Sequence, residues 1–265
     1  MAEAEQSSGV DEPDVREIVR LADPLGEGVR ERAGQEGRLT IASVSVAAEF
    51  VMPPLLALFR SRHAEVGLVM LVGNRASTLQ RILYGEADLA VGGRPPASVG
   101  IRGEPFLGNR FVVAAMPGHP LVSADPVDAK VLSDQTWLLR EPGSGSRRAA
   151  EVFWGRKGIE PRSVVTLGSV GAVRQAAALG MGITLVSAYA VAADFEEGKL
   201  AQLAVPATPE GSWYALFLGR GRPVTAAVQF LDLLHSVDAA SAVEGWFGKA
   251  SRFLSARHPL REAPA

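Results

Sequence analysis

The 265-residue sequence contains no cysteine. Disulfides, thiolate catalysis and cysteine-based zinc sites are therefore excluded. Histidine is also scarce: His63, His119, His235 and His258 are the full set, scattered without metal-ligand spacing. No metal site and no cofactor is expected. An excess of one charge is lacking too, since the formal net charge is −2, and this gives no basic footprint for nucleic acid. No run reaches the roughly 18 apolar residues of a membrane span. The start, Met1-Ala2-Glu3-Ala4-Glu5, carries no apolar stretch of a secretion signal. A cytoplasmic protein without a membrane partner is the expectation. Hydrophobic residues nonetheless make up 47% and charged residues 21%, enough material for a sizeable globular core.

The most informative stretch runs from Leu138 to Arg148. The apolar segment Thr136 to Leu139 reads as a short buried strand, and a Gly/Ser loop follows that opens into a helix near 147–157. Gly143 and Gly145 allow backbone N–H groups to converge on one point. Ser144 or Ser146 can cap the helix, whose N-terminus adds partial positive charge. Arg140, Arg147 and Arg148 supply full charges and paired donors. These are the parts of a small-anion site, for a carboxylate or a phosphate. A plain strand–helix connection would use the same residue types. The spacing is neither a Walker A loop nor a dinucleotide fingerprint, because no Gly-Lys-Ser/Thr and no third glycine follow.

Residues 1–36 form a polar leader with one short amphipathic segment over Val15, Ile18, Val19 and Leu21, and without a complete helix-turn-helix pattern. Strands are predicted at 38–44, 66–72 and 87–93, with helices from Pro53 and after Asn74. The Val66–Val72 run has the pattern of a strand covered on both faces. A further strand is predicted over Phe111–Met116, and Pro117-Gly118-His119-Pro120 then punctuates the chain. A second strand–helix series follows, with strands at 136–139, 164–167 and 183–186. A late strand at 213–218 and a helix over 224–237 close the pattern, and a loosely docked tail follows from 238.

Two similar α/β halves suggest a bilobed body with a cleft. Lobe I takes residues 37–118 plus 212–237, lobe II residues 119–211, and 238–265 form a tail. Ligands of open α/β sheets sit beyond the carboxyl ends of strands. The cleft candidates are therefore Ser43, Ser45, Asn74, Arg75, Gly93, Arg94, Arg140, Ser144, Gly145, Ser146, Arg147 and Ser169. For Ser45 and Ser169, ordinary helix capping is the better reading.

Several segments carry a family pattern in one order: Gly37-Arg38-Leu39-Thr40-Ile41, Pro53-x-Leu55-Leu56-x-x-Phe59, Gly85-Glu86-Ala87-Asp88-Leu89-Ala90-Val91, His119-Pro120-Leu121, Trp137, Ala178-Leu179-Gly180-Met181-Gly182-Ile183 and Glu197-Gly198-Lys199-Leu200. Residues 37–237 thereby resemble the effector-binding domain of LysR-type transcriptional regulators. Gly73-Asn74-Arg75, Gly92-Gly93-Arg94-Pro95-Pro96, the segment Arg140–Arg147 and Trp213-Tyr214 are most similar to the branch that regulates carbon-fixation (RubisCO) operons. The resemblance implies an α/β fold of periplasmic-binding-protein type II, with two Rossmann-like subdomains and an interlobe cleft. It also implies a small anionic, in some cases phosphorylated, metabolite as effector, and a homodimer or higher homo-oligomer. Arg75, Arg94, Ser144, Ser146 and Arg147 are the positions it implies as effector contacts. DNA would be a partner only where a helix-turn-helix domain is supplied elsewhere. The sequence departs from the branch at Gly168-Ser169-Val170-Gly171-Ala172, which lacks the polar Asn and Glu common there. Two other classes share features with this pattern. A solute-binding protein for transport shares the fold but needs an export signal. An enzyme needs a catalytic constellation, whereas Glu196-Glu197, Asp125 and Asp128 read as solvated surface charges.

Overall fold

A computed structural model describes residues 37–97, 100–219 and 224–254. The segment Val15–Leu21, with the rest of the leader, lies outside the described residues. The order begins with β1 (Arg38–Val44), α1 (Ser45–Phe50), α2 (Met52–Arg62), β2 (Gly67–Gly73), α3 (Arg75–Leu83), β3 (Leu89–Gly92) and β4 (Ile101–Ala115). A 3-10 turn (Pro120–Ser123), α4 (Ala129–Ser133), β5 (Thr136–Arg140), α5 (Gly145–Lys157), β6 (Ser163–Leu167), α6 (Val170–Ala178), β7 (Thr184–Ser187), α7 (Ala188–Glu196) and β8 (Ala201–Gln202) follow. The chain closes with β9 (Glu210–Leu218), α8 (Thr225–Leu234), α9 (Val237–Phe247) and a 3-10 segment (Gly248–Phe253).

β1 buries Leu39 and Ile41 completely and pairs in parallel with β2 on one side and β3 on the other. Helix α2 starts where Pro53 and Pro54 cost no hydrogen bond, because the first-turn N–H groups have no partner inside the helix. Helix α3 starts at Asn74, whose side chain accepts from the Ser77 amide at 3.0 Å. Strand β2 has β1 as its neighbour on one side and lies at a sheet edge. It is therefore half-buried, with Val72 47% exposed, and not covered on both faces as its apolar run suggests.

The main sheet runs β2-β1-β3-β9-β4-β7, with β8 also paired to β4. β4 is fifteen residues long, and its first part, Ile101–Arg110, lies beyond the apolar run that the sequence marks. Arg102, Glu104, Pro105 and Gly108 break the apolar alternation there. The strand is held instead by an antiparallel ladder to β9, with a register shift between Pro105 and Leu107. From Phe111 onward the same strand pairs with β7, and at Ala114–Ala115 with β8. β4 and β9 thus carry the chain between the two halves. β5 and β6 form a parallel pair, tied in by the Trp137–Ile183 bridge.

A continuous core spans both halves through Met52, Leu55, Phe59, Val91, Val191 and Phe230. A second cluster, with Leu132, Trp137, Phe153 and Leu185, fills the half built around β5. A third, with Leu79, Ile82 and Leu216, lies under α3. The segment after 237 is not a loosely docked tail: Ala239, Val243, Ala250 and Phe253 are buried in the first core. Spaced along a helix and a 3-10 turn, these small and aromatic residues give one apolar stripe.

Candidate functional site

The carboxyl ends of β1, β2, β3, β5 and β7 meet at one cleft of about 520 Å³. Each contributes the residues just beyond it: Val44 and Ser45, Gly73 to Arg75, Gly93 and Arg94, Arg140 with Ser144 to Ser146, and Ser187. The connecting strands form the floor, through Asn109 and Phe111 of β4 and Ser212 to Tyr214 of β9. Buried Ser187 donates to the Asn109 side-chain oxygen at 2.6 Å, which fixes the floor at the point where the halves join.

Arg75 stands at the start of α3, and its guanidinium donates to the Arg94 carbonyl at 2.7 Å. A Cβ on Gly93 would lie 3.4 Å from that guanidinium, so the glycine leaves room for the side chain. Burial, together with the positive charge of Arg148, pushes the Arg75 pKa down. Two guanidinium groups thus line one partly desolvated cleft, an arrangement that an anion relieves. Beside them, Ser144 precedes α5 without making a side-chain cap. The amides of the first helical turn are left to other acceptors. The Ser144 and Ser146 hydroxyls lie 3.0 Å apart. At the lip, Gly143 has φ +85° and lies against Asn74: an added Cβ would be 3.3 Å from the Asn74 amide nitrogen.

The structure brings together Asn74, Arg75, Arg94, Arg140, Ser144, Gly145 and Ser146. Arg140 is buried and already holds Glu141 through two hydrogen bonds of 2.7 and 2.9 Å. Burial would raise the Glu141 carboxyl, but the Arg140 guanidinium overrides this and holds it below the usual carboxylate range. Three candidates lie elsewhere. Ser43 is fully buried within β1 and donates to the Val44 carbonyl. Ser169 caps α6 by accepting from the Ala172 amide at 3.0 Å. Arg147 is a correction to the site expected from the sequence, because it points out of the cleft. Its guanidinium binds Glu151 at 2.8 Å and reaches the Arg140 carbonyl and the Thr166 hydroxyl at 3.2 Å each. Successive residues on a helix are turned by about 100°, so the long side chains of Arg147 and Arg148 diverge. The cleft side of α5 is Gly145, Ser146, Arg148, Ala149, Val152 and Arg156. Arg148, read from the sequence as one of the charges of the anion site, is thus a lining residue, and Arg156, Asn109, Phe111 and Ser187 are lining residues that the sequence reading missed. Helical spacing from Gly145 would have found Arg156, and the strand-end rule would have found Ser187.

A two-lobed α/β body with polar strand ends converging on a closed-in cleft is a ligand-binding domain of the type II periplasmic-binding-protein architecture. Comparison with known proteins identifies the family. The LysR substrate binding domain model matches residues 32–239, and the chain belongs to that family. A RuBisCO operon transcriptional regulator of Acidithiobacillus ferrooxidans is 35% identical over 206 residues, 77% of this chain and 66% of that protein. The HTH-type transcriptional regulator CfxR of Cupriavidus necator is 36% identical over 207 residues, 77% of this chain and 65% of that protein. The chain thus spans about two thirds of the length of these relatives. Among solved structures, the Synechocystis CcmR regulatory domain in complex with 2-PG superposes with a TM-score of 0.72 at 30% identity. That match covers 76% of this chain and 97% of the other. The effector-binding domain of QuiR in complex with shikimate shares the fold, with a TM-score of 0.67 at 17% identity over 76% of this chain and 96% of the other. Among the described residues, no helix is long and apolar enough to cross a membrane.

Proposed function

We propose that this chain serves as the effector-sensing part of a LysR-type transcriptional regulator whose effector is a small polyanionic metabolite, a phosphorylated carboxylate of the 2-phosphoglycolate class. The observation that carries this reading is the Arg75–Arg148 pair beside the open start of α5. Two guanidiniums in one cleft repel one another until an anionic ligand enters. The helix N-terminus offers further donors to a phosphate. The 2-phosphoglycolate bound by the CcmR domain carries both a phosphate and a carboxylate.

The same reading assigns lobe I to residues 37–110 with 211–254, and lobe II to residues 111–210, the changeover falling where β4 exchanges β9 for β7. The regulator acts in the cytoplasm as a homodimer or higher homo-oligomer, and reads DNA only with a helix-turn-helix supplied elsewhere. It is a sensor and not an enzyme.

Isothermal titration against 2-phosphoglycolate, glycolate, inorganic sulfate and shikimate tests the effector class. Saturable binding of 2-phosphoglycolate is expected, with glycolate and shikimate at least tenfold weaker. At one hundred times its Kd the ligand adds about 2.7 kcal/mol of stability, visible as a rise in melting temperature. Preference for shikimate, or indifference to every anion, would sink the proposal.

A further inference from the structure

The last described segment, α9 with its 3-10 extension, touches both lobes and the strand between them. At its start, Asp238 pairs with Arg62 on α2, and α9 packs on α2 and α8 of lobe I. At its end, the ring of Phe253 lies 5.3 Å from that of Phe195 on α7. Arg252 binds Glu196 of the same helix at 2.8 Å. Between these points Phe247 meets Tyr189 of α7 edge-on at 5.6 Å. The Phe253 carbonyl accepts from Arg110 through the Nε–H at 2.9 Å and through a second guanidinium N–H. Arg110 sits on β4 between Asn109 and Phe111, both of which line the cleft. Side chains alternate along a strand, so Arg110 emerges on the reverse side from the ligand.

We infer that residues 237–254 are an interlobe strap, fastened behind the hinge, that sets how far the empty cleft stands open and thereby tunes effector affinity. Two strands, β4 and β9, and the packing of α7 on α1 already join the lobes, and the strap is a further connection. Rotation of lobe II about the strands moves α7 relative to α2. The strap must then slide or detach at one end. Its lobe I end is a packed helix, and its lobe II end is held on α7 by two aromatic pairs and one half-exposed ion pair, while Arg110 of β4 holds the Phe253 carbonyl behind the hinge. A domain whose resting geometry is set away from the ligand can change affinity without any change in ligand contacts.

The absence of cysteine in the sequence allows clean labelling. Spin labels at Glu86→Cys in lobe I and Glu160→Cys in lobe II, both exposed positions, report the interlobe distance of the full chain without ligand. Arg110→Lys combined with Phe253→Leu weakens the fastening of the strap's end to β4 and α7 while keeping charge and most of the apolar volume. A second version, Arg110→Lys with Arg252→Gln, changes no buried apolar side chain and serves if the first folds poorly. The expected result is a distance distribution at least twice as broad as the parent's, together with a change of at least fivefold in the Kd for 2-phosphoglycolate. An unchanged distribution in a folded variant overturns the strap. The strap's role in affinity rests on the effector proposed above, but the label distances do not. Failure of the parent to bind 2-phosphoglycolate would count against that effector alone.

Discussion

Replacing Arg148 by Gln separates the ligand's charge recognition from the fold. In the parent, Arg148 shares the cleft with Arg75, and with burial it depresses the Arg75 pKa. Removing one of two like charges relieves repulsion in the empty protein, so the melting temperature should hold or rise slightly, as for most substitutions that break no contact. Binding loses a charge-assisted hydrogen bond worth about 1.5–3 kcal/mol. It also loses the relief of repulsion that the ligand brings, so a weakening of about ten- to 150-fold in Kd is expected. Titration calorimetry of 2-phosphoglycolate at fixed ionic strength reads the affinity, and thermal unfolding of the same samples reads the fold. Arg147→Ala is the paired control. It cuts the ties to Glu151, Thr166 and the Arg140 carbonyl, and should lower stability by about 1 kcal/mol while leaving Kd within a few fold. The opposite pattern, with Arg147 needed for binding and Arg148 dispensable, would refute the assignment of the cleft face of α5.

Gly143→Ala adds a methyl at φ +85° beside the Asn74 amide and should cost about 1–3 kcal/mol in a thermal melt, with loss of effector affinity, because the loop and the opposite lip move together. Trp137→Phe removes the buried indole donor to the Leu132 carbonyl, a bond of 2.8 Å. Denaturant unfolding should show a loss of about 1–3 kcal/mol, the cost of an orphaned buried acceptor. The Glu141 carboxyl is held below its ordinary value of 4.5. Its contribution is therefore complete above that pH and disappears as pH falls through the lower folded value. Glu141→Gln should be less stable than the parent at pH 7, with the gap closing toward pH 3. A gap that does not change with pH would show that Glu141 contributes nothing through its charge.

Where a stretch carried both a period and a stop signal, the fold was legible. Thr136–Leu139 followed by Gly143 and the α5 sequence announced a strand, a turn and a helix. The structure places them at Thr136–Arg140 and Gly145–Lys157. The first ten residues of β4 were not legible, since Arg102, Glu104 and Pro105 form a strand only because β9, about a hundred residues later, supplies the ladder. Strand ends located most of the cleft, because the carboxyl-end rule follows from topology alone. Arg147 and Arg148 show its limit: the residues are adjacent in sequence, and only the exact start of α5 decides which one faces the ligand. The floor residue Asn109 was invisible for a related reason: it lies in the middle of β4, and only the folded sheet brings it against Ser187 at the end of β7.

The pairing of β3 with β9 also constrains the order in which the molecule can be made. β3 is fully buried and lies between β1 and β9. A chain emerging from the ribosome presents β1, β2 and β3 early, yet the strand that covers the open side of β3 comes last of all the strands. Until then that edge offers unpaired backbone groups to any other nascent chain. The continuous stretch from α4 to β8 holds eight of the twelve buried residues of the second core cluster. This half has most of what it needs to settle first, reversing the usual order in which the N-terminal part folds ahead. Released fragments ending near residue 205 should therefore protect Trp137 and Phe153 from proteolysis while Leu89 to Gly92 are still cut.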